Sequence, residues 1–121
     1  MNAKIYPSSI QGEISVPSSK SHTIRALIIA TLAGGRSYIR NPLLSDDCKA
    51  AMRIAGQFGS TVTAEDGVWI VDGPVDGLKT PDDIVNVDNS GTTLYFMTSV
   101  AALLRDYTVF TGDKSIRKRP V

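Results

Sequence analysis

The spacing of apolar residues along the chain predicts three helices. Residues 21–33 are apolar nearly all round and are followed by Gly34 and Gly35, which predicts a buried helix that ends there. Ser45 opens a second predicted helix, which ends at Gly59. Residues 91–104 have a similar apolar character and predict the third helix.

Shorter apolar segments between these helices predict strands. Residues 61–64 and 68–71 flank Glu65, Asp66 and Gly67, a pattern that predicts a hairpin with a tight turn. The other predicted strands are 36–40, 84–87 and 107–111, together with one or two short strands around Gln11 and Gly12 within residues 3–16. Helices and strands are therefore expected to alternate along the chain.

The sequence also resembles itself at an offset of 71 residues. Without gaps, VPSSKSHTIRALIIATLAGGRSYI aligns with VDNSGTTLYFMTSVAALLRDYTVF, so that Ser19 falls on Ser90 and Ile39 on Phe110. Both copies predict a strand, a hydroxyl-rich turn, an apolar helix and a second strand. Either the chain holds one unit and half of another, or two ordinary strand-to-helix units look alike.

Composition narrows the function classes only slightly. The 121 residues suffice for one domain, and a formal net charge of +1 gives no general reason to expect nucleic acid or membrane as a partner. The single cysteine, Cys48, excludes an intramolecular disulfide and offers no CxxC spacing for a metal. The longest apolar run, residues 26–33, is too short to span a bilayer, and there is no signal peptide. We therefore expect a cytoplasmic protein without a metal.

Lys20 and Arg25 stand at the opening of the first predicted helix, where cations are unusual. A helix N-terminus carries partial positive charge and unsatisfied N–H donors, so acidic residues are the common occupants. With the hydroxyls of Ser18, Ser19 and Ser21 beside them, these cations predict a site for a phosphate or a carboxylate. The alternative is that both side chains extend from the helix end into solvent.

The turn formed by residues 89–92 is the corresponding position of the second unit. Gly91 permits close backbone approach by a ligand, and Asn89 or Ser90 can cap the third helix. A second hydroxyl-lined helix N-terminus beside the first would widen one anionic pocket, with Thr92 in its wall. Helix capping alone also explains this turn.

The C-terminal segment SIRKRPV is strongly basic. Four cations lie within the last eight residues: Lys114, Arg117, Lys118 and Arg119. A solvated free tail is the common explanation of such a run. Pro120, however, biases the backbone of Arg119 toward an extended conformation.

Several residues with chemical potential have simpler explanations. His22 has no recognisable nucleophile or orienting acid beside it, which argues against a general base. Asp46 and Asp47 lie in the first turn of the second predicted helix, where capping and the helix dipole account for them. Trp69 is expected to pack in the core. No catalytic residue is assigned within this chain.

These motifs, in this order, resemble the family of 5-enolpyruvylshikimate-3-phosphate synthase. VPSSKSHTIRALIIATLA resembles the opening turn and helix of that family, and NPLLSDDCKAAMRIAGQFG resembles its next segment. DNSGTT resembles the family's Asn-Ala-Gly-Thr turn, and TGDKSIRKRPV resembles its TG…RP segment. The resemblance covers nearly the whole chain, but only about the first quarter to third of an ordinary family member.

The resemblance implies an α/β fold built from βαβαββ repeat units, the inside-out barrel architecture of the enolpyruvyl transferases. This chain would hold one unit and the start of a second. Residues 1–16 would be initial strands that join the other domain of the family. Residues 17–121 would form part of a substrate-binding domain, with a first repeat at about 17–86 and a truncated second repeat at 87–121.

The resemblance also implies an activity. The family transfers the enolpyruvyl group of phosphoenolpyruvate to the 5-hydroxyl of shikimate 3-phosphate through a tetrahedral intermediate, without a metal or an organic cofactor. By motif position, Lys20 would contact both substrates, while Ser21 and Arg25 would hold shikimate 3-phosphate, Arg25 through its carboxylate.

On the phosphoenolpyruvate side, the resemblance implies that Gly91 and Thr92 line the pocket in the turn that Asn89 opens, and that Arg119 binds phosphoenolpyruvate. The family's catalytic Asp and Lys lie in later segments that are absent here. The chain alone is therefore expected to be inactive and to need those segments as partners. Ser18 stands where the family usually has Gly, and Tyr95 and Phe96 where Arg and Pro are often found.

Three alternatives remain from the sequence. The first is a fragment of UDP-N-acetylglucosamine enolpyruvyl transferase, although its opening turn usually reads like SGAKN. The second is a non-catalytic anion-binding module, complete at 121 residues. The third is a nucleic-acid binder with a basic tail, which the lack of accompanying aromatic residues disfavours. Self-association through exposed strand edges is also left open.

Overall fold

The computed structural model describes residues 2–120 and contains three helices and five strands. The helices are α1 (Lys20–Leu32), α2 (Asp46–Gln57) and α3 (Gly91–Ala101). The strands are β1 (Arg36–Arg40), β2 (Thr61–Glu65), β3 (Val68–Asp72), β4 (Val85–Asn86) and β5 (Phe110–Thr111), and a 3₁₀ turn covers Ile116–Lys118. This composition confirms the α/β class. Within residues 2–120, no helix has the length and apolarity needed to cross a membrane.

The larger sheet is antiparallel, with the strand order β1-β3-β2. Val68 at the start of β3 is paired with Arg40 on one side and with Glu65 on the other. Asp66 (φ 44°) and Gly67 (φ 74°) both adopt left-handed backbone in the turn between β2 and β3. Two successive positive φ angles are typical of a type I′ turn, so the predicted hairpin is confirmed.

The smaller sheet pairs β4 with β5 in parallel, and α3 is the crossover between them. The pairing extends beyond the two assigned residues, because the Val85 N–H donates to the Val109 oxygen at 2.8 Å and the Val87 N–H to the Thr111 oxygen at 2.9 Å. Parallel strands require such a crossover, usually a helix. Both strands lie within their predicted ranges but are shorter.

Helices α1 and α2 pack together, and their apolar faces form the core with β3. The largest fully buried side chains include Ile24, Leu27, Ile54, Phe58 and Trp69. Burial of each such side chain contributes about 1.5–3 kcal/mol relative to exposure. Packing is therefore the role of Trp69, as predicted, and α1 is held rigidly enough to fix the direction of its first turn.

The three helices begin in the same way, with a serine as N-cap. The Ser19 hydroxyl accepts a hydrogen bond from the His22 N–H at 3.3 Å, and the Ser90 hydroxyl accepts one from the Thr93 N–H at 3.3 Å. Ser45 caps α2 in the same manner. Ser19 and Ser90 are the residues that the internal alignment superposes, so the two copies share their helix-opening geometry.

The predicted N-terminal strands are not found. Residues 2–16 form no helix or strand, and Ile14 and Val16 are 87% and 77% exposed. Their counterparts at the offset of 71 residues, Val85 and Val87, are fully buried beside β5. Alternating apolar residues form a strand only where a neighbouring strand accepts their backbone hydrogen bonds, and within residues 2–120 no such neighbour is present.

Arg53 of α2 connects the first unit to the second. Its guanidinium donates to the Asn86 carbonyl oxygen at 2.8 Å and to the Asp88 carboxylate at 3.0 Å. Asp88 itself has left-handed backbone, with φ 51°. Its carbonyl oxygen accepts from the Asp113 N–H at 2.8 Å, so α2, the turn before α3 and the C-terminal segment meet at this residue.

Candidate functional site

Lys20, at the opening of α1, forms an ion pair with Asp47 in the first turn of α2. The Nζ atom lies 2.6 Å from Oδ2, and the two side chains are 50% and 21% exposed. The hydrogen bond to Asp47 and the charge of Asp47 raise the pKa of Lys20. Lys20 is therefore a firmly charged cation whose ammonium group is already directed by a carboxylate.

This ion pair was not predicted from the sequence, where helix capping accounted for Asp47. Ser45 provides the cap of α2, so the carboxylate of Asp47 is available to Lys20. The sequence feature that could have predicted the ion pair is the cation in the first turn of α1, because a helix N-terminus is an unfavourable place for an unpaired cation.

Arg25 lies on the face of α1 that meets α3. Ser21 and Arg25 are four residues apart and so share one helix face, as do Thr92 and Phe96 on α3. The Arg25 Cζ atom lies over the Phe96 ring, 5.4 Å from the ring centroid. Arg25 and Phe96 therefore meet at the junction of α1 and α3, and Ser21 and Thr92 lie one turn before them on the same helix faces.

Arg119 lies directly against Gly91, the first residue of α3. A Cβ atom at position 91 would overlap the Arg119 Nη1 atom, so only glycine permits this approach. Arg119 has extended backbone, with φ −86° and ψ 138°, as the following proline predicts. The guanidinium thus stands beside a helix N-terminus, where the N–H groups of Gly91 and Thr93 already donate to Asn89 and Ser90. A guanidinium at a helix N-terminus can bind phosphate and carboxylate groups.

The basic C-terminal segment is anchored, so its interpretation as a free tail is wrong. The Asp113 carboxylate accepts hydrogen bonds from the Ile116 N–H at 2.8 Å and from the Ser115 N–H at 2.9 Å. The Ile116 side chain is buried in the core, and the Tyr95 hydroxyl donates to the Pro120 oxygen at 3.1 Å. These contacts fix the backbone on both sides of Arg119.

Asn89 differs from the other predicted site residues. Its side-chain amide donates to the Asp113 carboxylate, while Ser90 caps α3. The backbone N–H of Ile116 and then the Asn89 amide hold the pKa of Asp113 below its ordinary value of 3.8. Asn89 therefore acts in this structure by fixing Asp113 and, through it, the segment that carries Arg119.

Asn89 and Arg119 also line different cavities. Asn89 lines a cavity of about 520 Å³ whose other walls include four carboxylates, those of Asp46, Asp47, Asp88 and Asp113. Arg119 lines a cavity of about 360 Å³ with mainly apolar neighbours. An anion is disfavoured among four carboxylates, so the surroundings of Asn89 fit an anionic ligand least well.

The remaining predicted residues form a set suited to binding anions. Lys20 supplies a point charge, Arg25 and Arg119 supply planar arrays of donors, and Ser21 and Thr92 are half-buried hydroxyl residues in the first turns of α1 and α3. Residues of these types can bind phosphate and carboxylate groups.

Comparison with known proteins gives a consistent result. The family model described as EPSP synthase (3-phosphoshikimate 1-carboxyvinyltransferase) matches residues 5–121. A relative from Acetivibrio thermocellus named 3-phosphoshikimate 1-carboxyvinyltransferase is 45% identical over 121 residues, which are 100% of this chain and 29% of the relative. One of the same name from Methanothermobacter thermautotrophicus is 48% identical over 93% of this chain and 27% of its own length.

Among solved structures, an EPSP synthase from Acinetobacter baumannii superposes with a TM-score of 0.81 at 27% sequence identity. The match covers 90% of this chain and 25% of that structure. The chain thus spans less than a third of the length of the curated relatives and of the solved structure that it matches.

Proposed function

The chain belongs to the EPSP synthase family, and from this premise we propose that it is the N-terminal portion of a shikimate-pathway transferase. The reaction moves the enolpyruvyl group of phosphoenolpyruvate to the 5-hydroxyl of shikimate 3-phosphate and releases phosphate. The observation that carries the proposal is the placement of Arg119 against Gly91 at the N-terminus of α3. That contact requires glycine and leaves a guanidinium where a phosphate or carboxylate would bind.

Shikimate 3-phosphate is assigned to the opening of α1. It carries a carboxylate and a phosphate, which match the planar guanidinium of Arg25 and the ammonium group of Lys20. Ser21, one turn before Arg25 on the same helix face, adds a hydroxyl. The Lys20 side chain is half exposed despite its ion pair, so a phosphate that binds Lys20 would lie beside the Asp47 carboxylate.

Phosphoenolpyruvate is assigned to the opening of α3, where Arg119, Gly91 and Thr92 meet. Lys20 is assigned a contact with both substrates. Asn89 is assigned an indirect role at the phosphoenolpyruvate site: it fixes the Asp113 carboxylate and, through it, the segment that carries Arg119.

The residues of this chain bind and orient the substrates rather than transfer protons. Holding two reactants in place is a large part of the acceleration available to an addition and elimination of this type. We assign the proton-transfer groups to the segments that follow in the longer relatives, and the isolated chain is expected to be inactive. Residues 1–16 are assigned to the other domain, which would give the exposed Ile5, Ile10 and Ile14 side chains a partner. The expected location is the cytoplasm.

The test is an NMR titration of the isotope-labelled chain with shikimate 3-phosphate. We expect saturable shifts of the amides of residues 19–25 and 89–92. Arg25→Ala should weaken binding by about ten-fold or more, because a hydrogen bond to a charged group contributes about 1.5–3 kcal/mol. Arg105→Ala is the matched control, since Arg105 is exposed beyond the end of α3 and should leave the affinity unchanged.

Three results would contradict the proposal. One is a well-dispersed spectrum that does not change on addition of shikimate 3-phosphate. Another is tighter binding of UDP-N-acetylglucosamine at the same amides, which would favour the related transferase. The third concerns activity alone: measurable phosphate release from phosphoenolpyruvate by this chain would show that the later segments are not required.

A further inference from the structure

Phe96 is a partly exposed aromatic residue on α3 whose ring contacts a predicted ligand of α1. Its side chain remains 38% exposed. The Arg25 Cζ atom is 5.4 Å from the ring centroid, within the distance of about 6 Å at which a cation and an aromatic face attract each other.

Arg25 differs from the cations of this chain that form ion pairs. Lys20, Arg36 and Arg53 each lie within ion-pair distance of an aspartate. Among residues 2–120, no carboxylate lies within ion-pair distance of Arg25. The contact with Phe96 is therefore the interaction that directs its guanidinium.

An aromatic ring can direct a guanidinium without occupying its donors. The five N–H groups of arginine lie in the guanidinium plane, whereas a ring attracts the cation through its face. A carboxylate partner would instead occupy two of the donors in a fork. Arg25 is thus held while its donors stay available for a ligand.

The spacing of residues along α1 and α3 puts the contact between Arg25 and Phe96 close to the residues assigned to the substrates. Phe96 follows Thr92 by one turn on α3, and Arg25 follows Ser21 by one turn on α1. We propose that Phe96 is a positioning residue, which selects the orientation of Arg25 that receives the carboxylate of the acceptor substrate. This inference rests on the proposed function.

The test compares the wild-type chain with Phe96→Leu, which keeps an apolar side chain but removes the ring, and with Phe96→Tyr, which retains the ring. Tyr107→Leu is the matched control, because Tyr107 is an aromatic residue that is 98% exposed. Two quantities are measured by NMR: the shift of the Arg25 side-chain Nε–H signal, and the affinities for shikimate 3-phosphate and for inorganic phosphate.

In Phe96→Leu, the Arg25 Nε–H signal should lose its ring-current shift. The affinity for shikimate 3-phosphate should fall about two- to five-fold, the range that an exposed contact of this kind supports. The affinity for inorganic phosphate should stay unchanged, because Arg25 is assigned to the carboxylate. Phe96→Tyr and the control Tyr107→Leu should both keep the wild-type Arg25 Nε–H shift and the wild-type affinity for shikimate 3-phosphate.

An unchanged affinity of Phe96→Leu for shikimate 3-phosphate would overturn the inference, and so would an equal loss of affinity for both ligands. Absence of binding by the wild-type chain would overturn the proposed function, and the assigned role of Phe96 with it. The two failures are distinguishable, because the first leaves wild-type binding intact.

Discussion

Replacing Gly91 with alanine tests whether glycine is required for the position of Arg119. The added methyl group would overlap the Arg119 Nη1 atom, and the end of the arginine side chain is the part that can move. Gly91 lies in α3 without left-handed backbone, so alanine is compatible with the helix. Alanine is favoured over glycine in helices by up to about 1 kcal/mol. Because Gly91 is the first residue of α3, where this preference is smaller than in a helix interior, the variant should fold with a stability within about 1 kcal/mol of the wild type.

The affinity for phosphoenolpyruvate should respond very differently. Displacing Arg119 removes hydrogen bonds between a guanidinium and an anion, each contributing about 1.5–3 kcal/mol. Loss of one such bond corresponds to a decrease in affinity of about 10- to 150-fold. The assay is a titration with phosphoenolpyruvate that also follows the Nε–H signal of Arg119, together with a thermal unfolding curve.

Gly56→Ala supplies the matched control. Gly56 is an exposed glycine within α2, and a Cβ atom there would meet no other atom within 4 Å. This variant makes the same chemical change in a helix and should leave both the Arg119 signal and the affinity unchanged. The reasoning fails if Gly91→Ala keeps the wild-type Arg119 signal and affinity, or if its loss of affinity is accompanied by a loss of stability greater than about 1 kcal/mol.

Three further predictions concern the contacts that surround the site. Asp47→Asn should lower the pKa of Lys20 toward 10.5, because its hydrogen-bond partner loses its charge; a ¹³Cε titration of Lys20 that matches the wild type would contradict this. The Asp113 carboxylate should contribute fully to the stability of the fold above pH 3.8, and this stabilisation should be lost as the pH falls through the lower pKa of Asp113 in the folded chain. The amide shifts of residues 115 and 116 should therefore titrate with a midpoint below pH 3.8, and a midpoint at or above that value would refute the assignment. Tyr95→Phe removes the hydroxyl that donates to Pro120 and should accelerate amide hydrogen exchange at Arg119, with stability changed by less than about 1 kcal/mol; an unchanged exchange rate would show that this hydrogen bond does not hold the segment.

The helices and turns that depend on residues close together in the sequence could be predicted from the sequence. A capping serine opens α1, α2 and α3, and the Asp66–Gly67 turn requires left-handed backbone that those two residue types tolerate. The strands predicted within residues 3–16 are not formed among the described residues 2–120, because a strand also needs a neighbour. Alternation of apolar residues reports which side chains would be buried, not whether a pairing strand is present.

The contacts of the candidate site residues could not be predicted from the sequence. Motif position identified Lys20, Arg25 and Arg119, whereas the contact of Arg25 with Phe96 depends on how α1 meets α3. Such a contact joins positions 71 residues apart in the sequence. No local pattern encodes a crossing of two helices, so the partners of the predicted ligands required the structure.

The bridge formed by Arg53 has a consequence for how the chain denatures. Its hydrogen bonds tie α2 to the backbone oxygen of Asn86 and to Asp88, and Asp88 is tied in turn to Asp113. Residues 85–120 therefore share polar contacts with α2 as well as apolar packing, and neither part can open without breaking them. We expect the two copies to form a single cooperative unit, with coincident urea transitions of Trp69 fluorescence and of helical circular dichroism. Because both side chains of the Arg53–Asp88 ion pair are half exposed and the apolar core also spans the two parts, Arg53→Met should lower the free energy of unfolding by only about 1 kcal/mol or less and leave the transitions coincident.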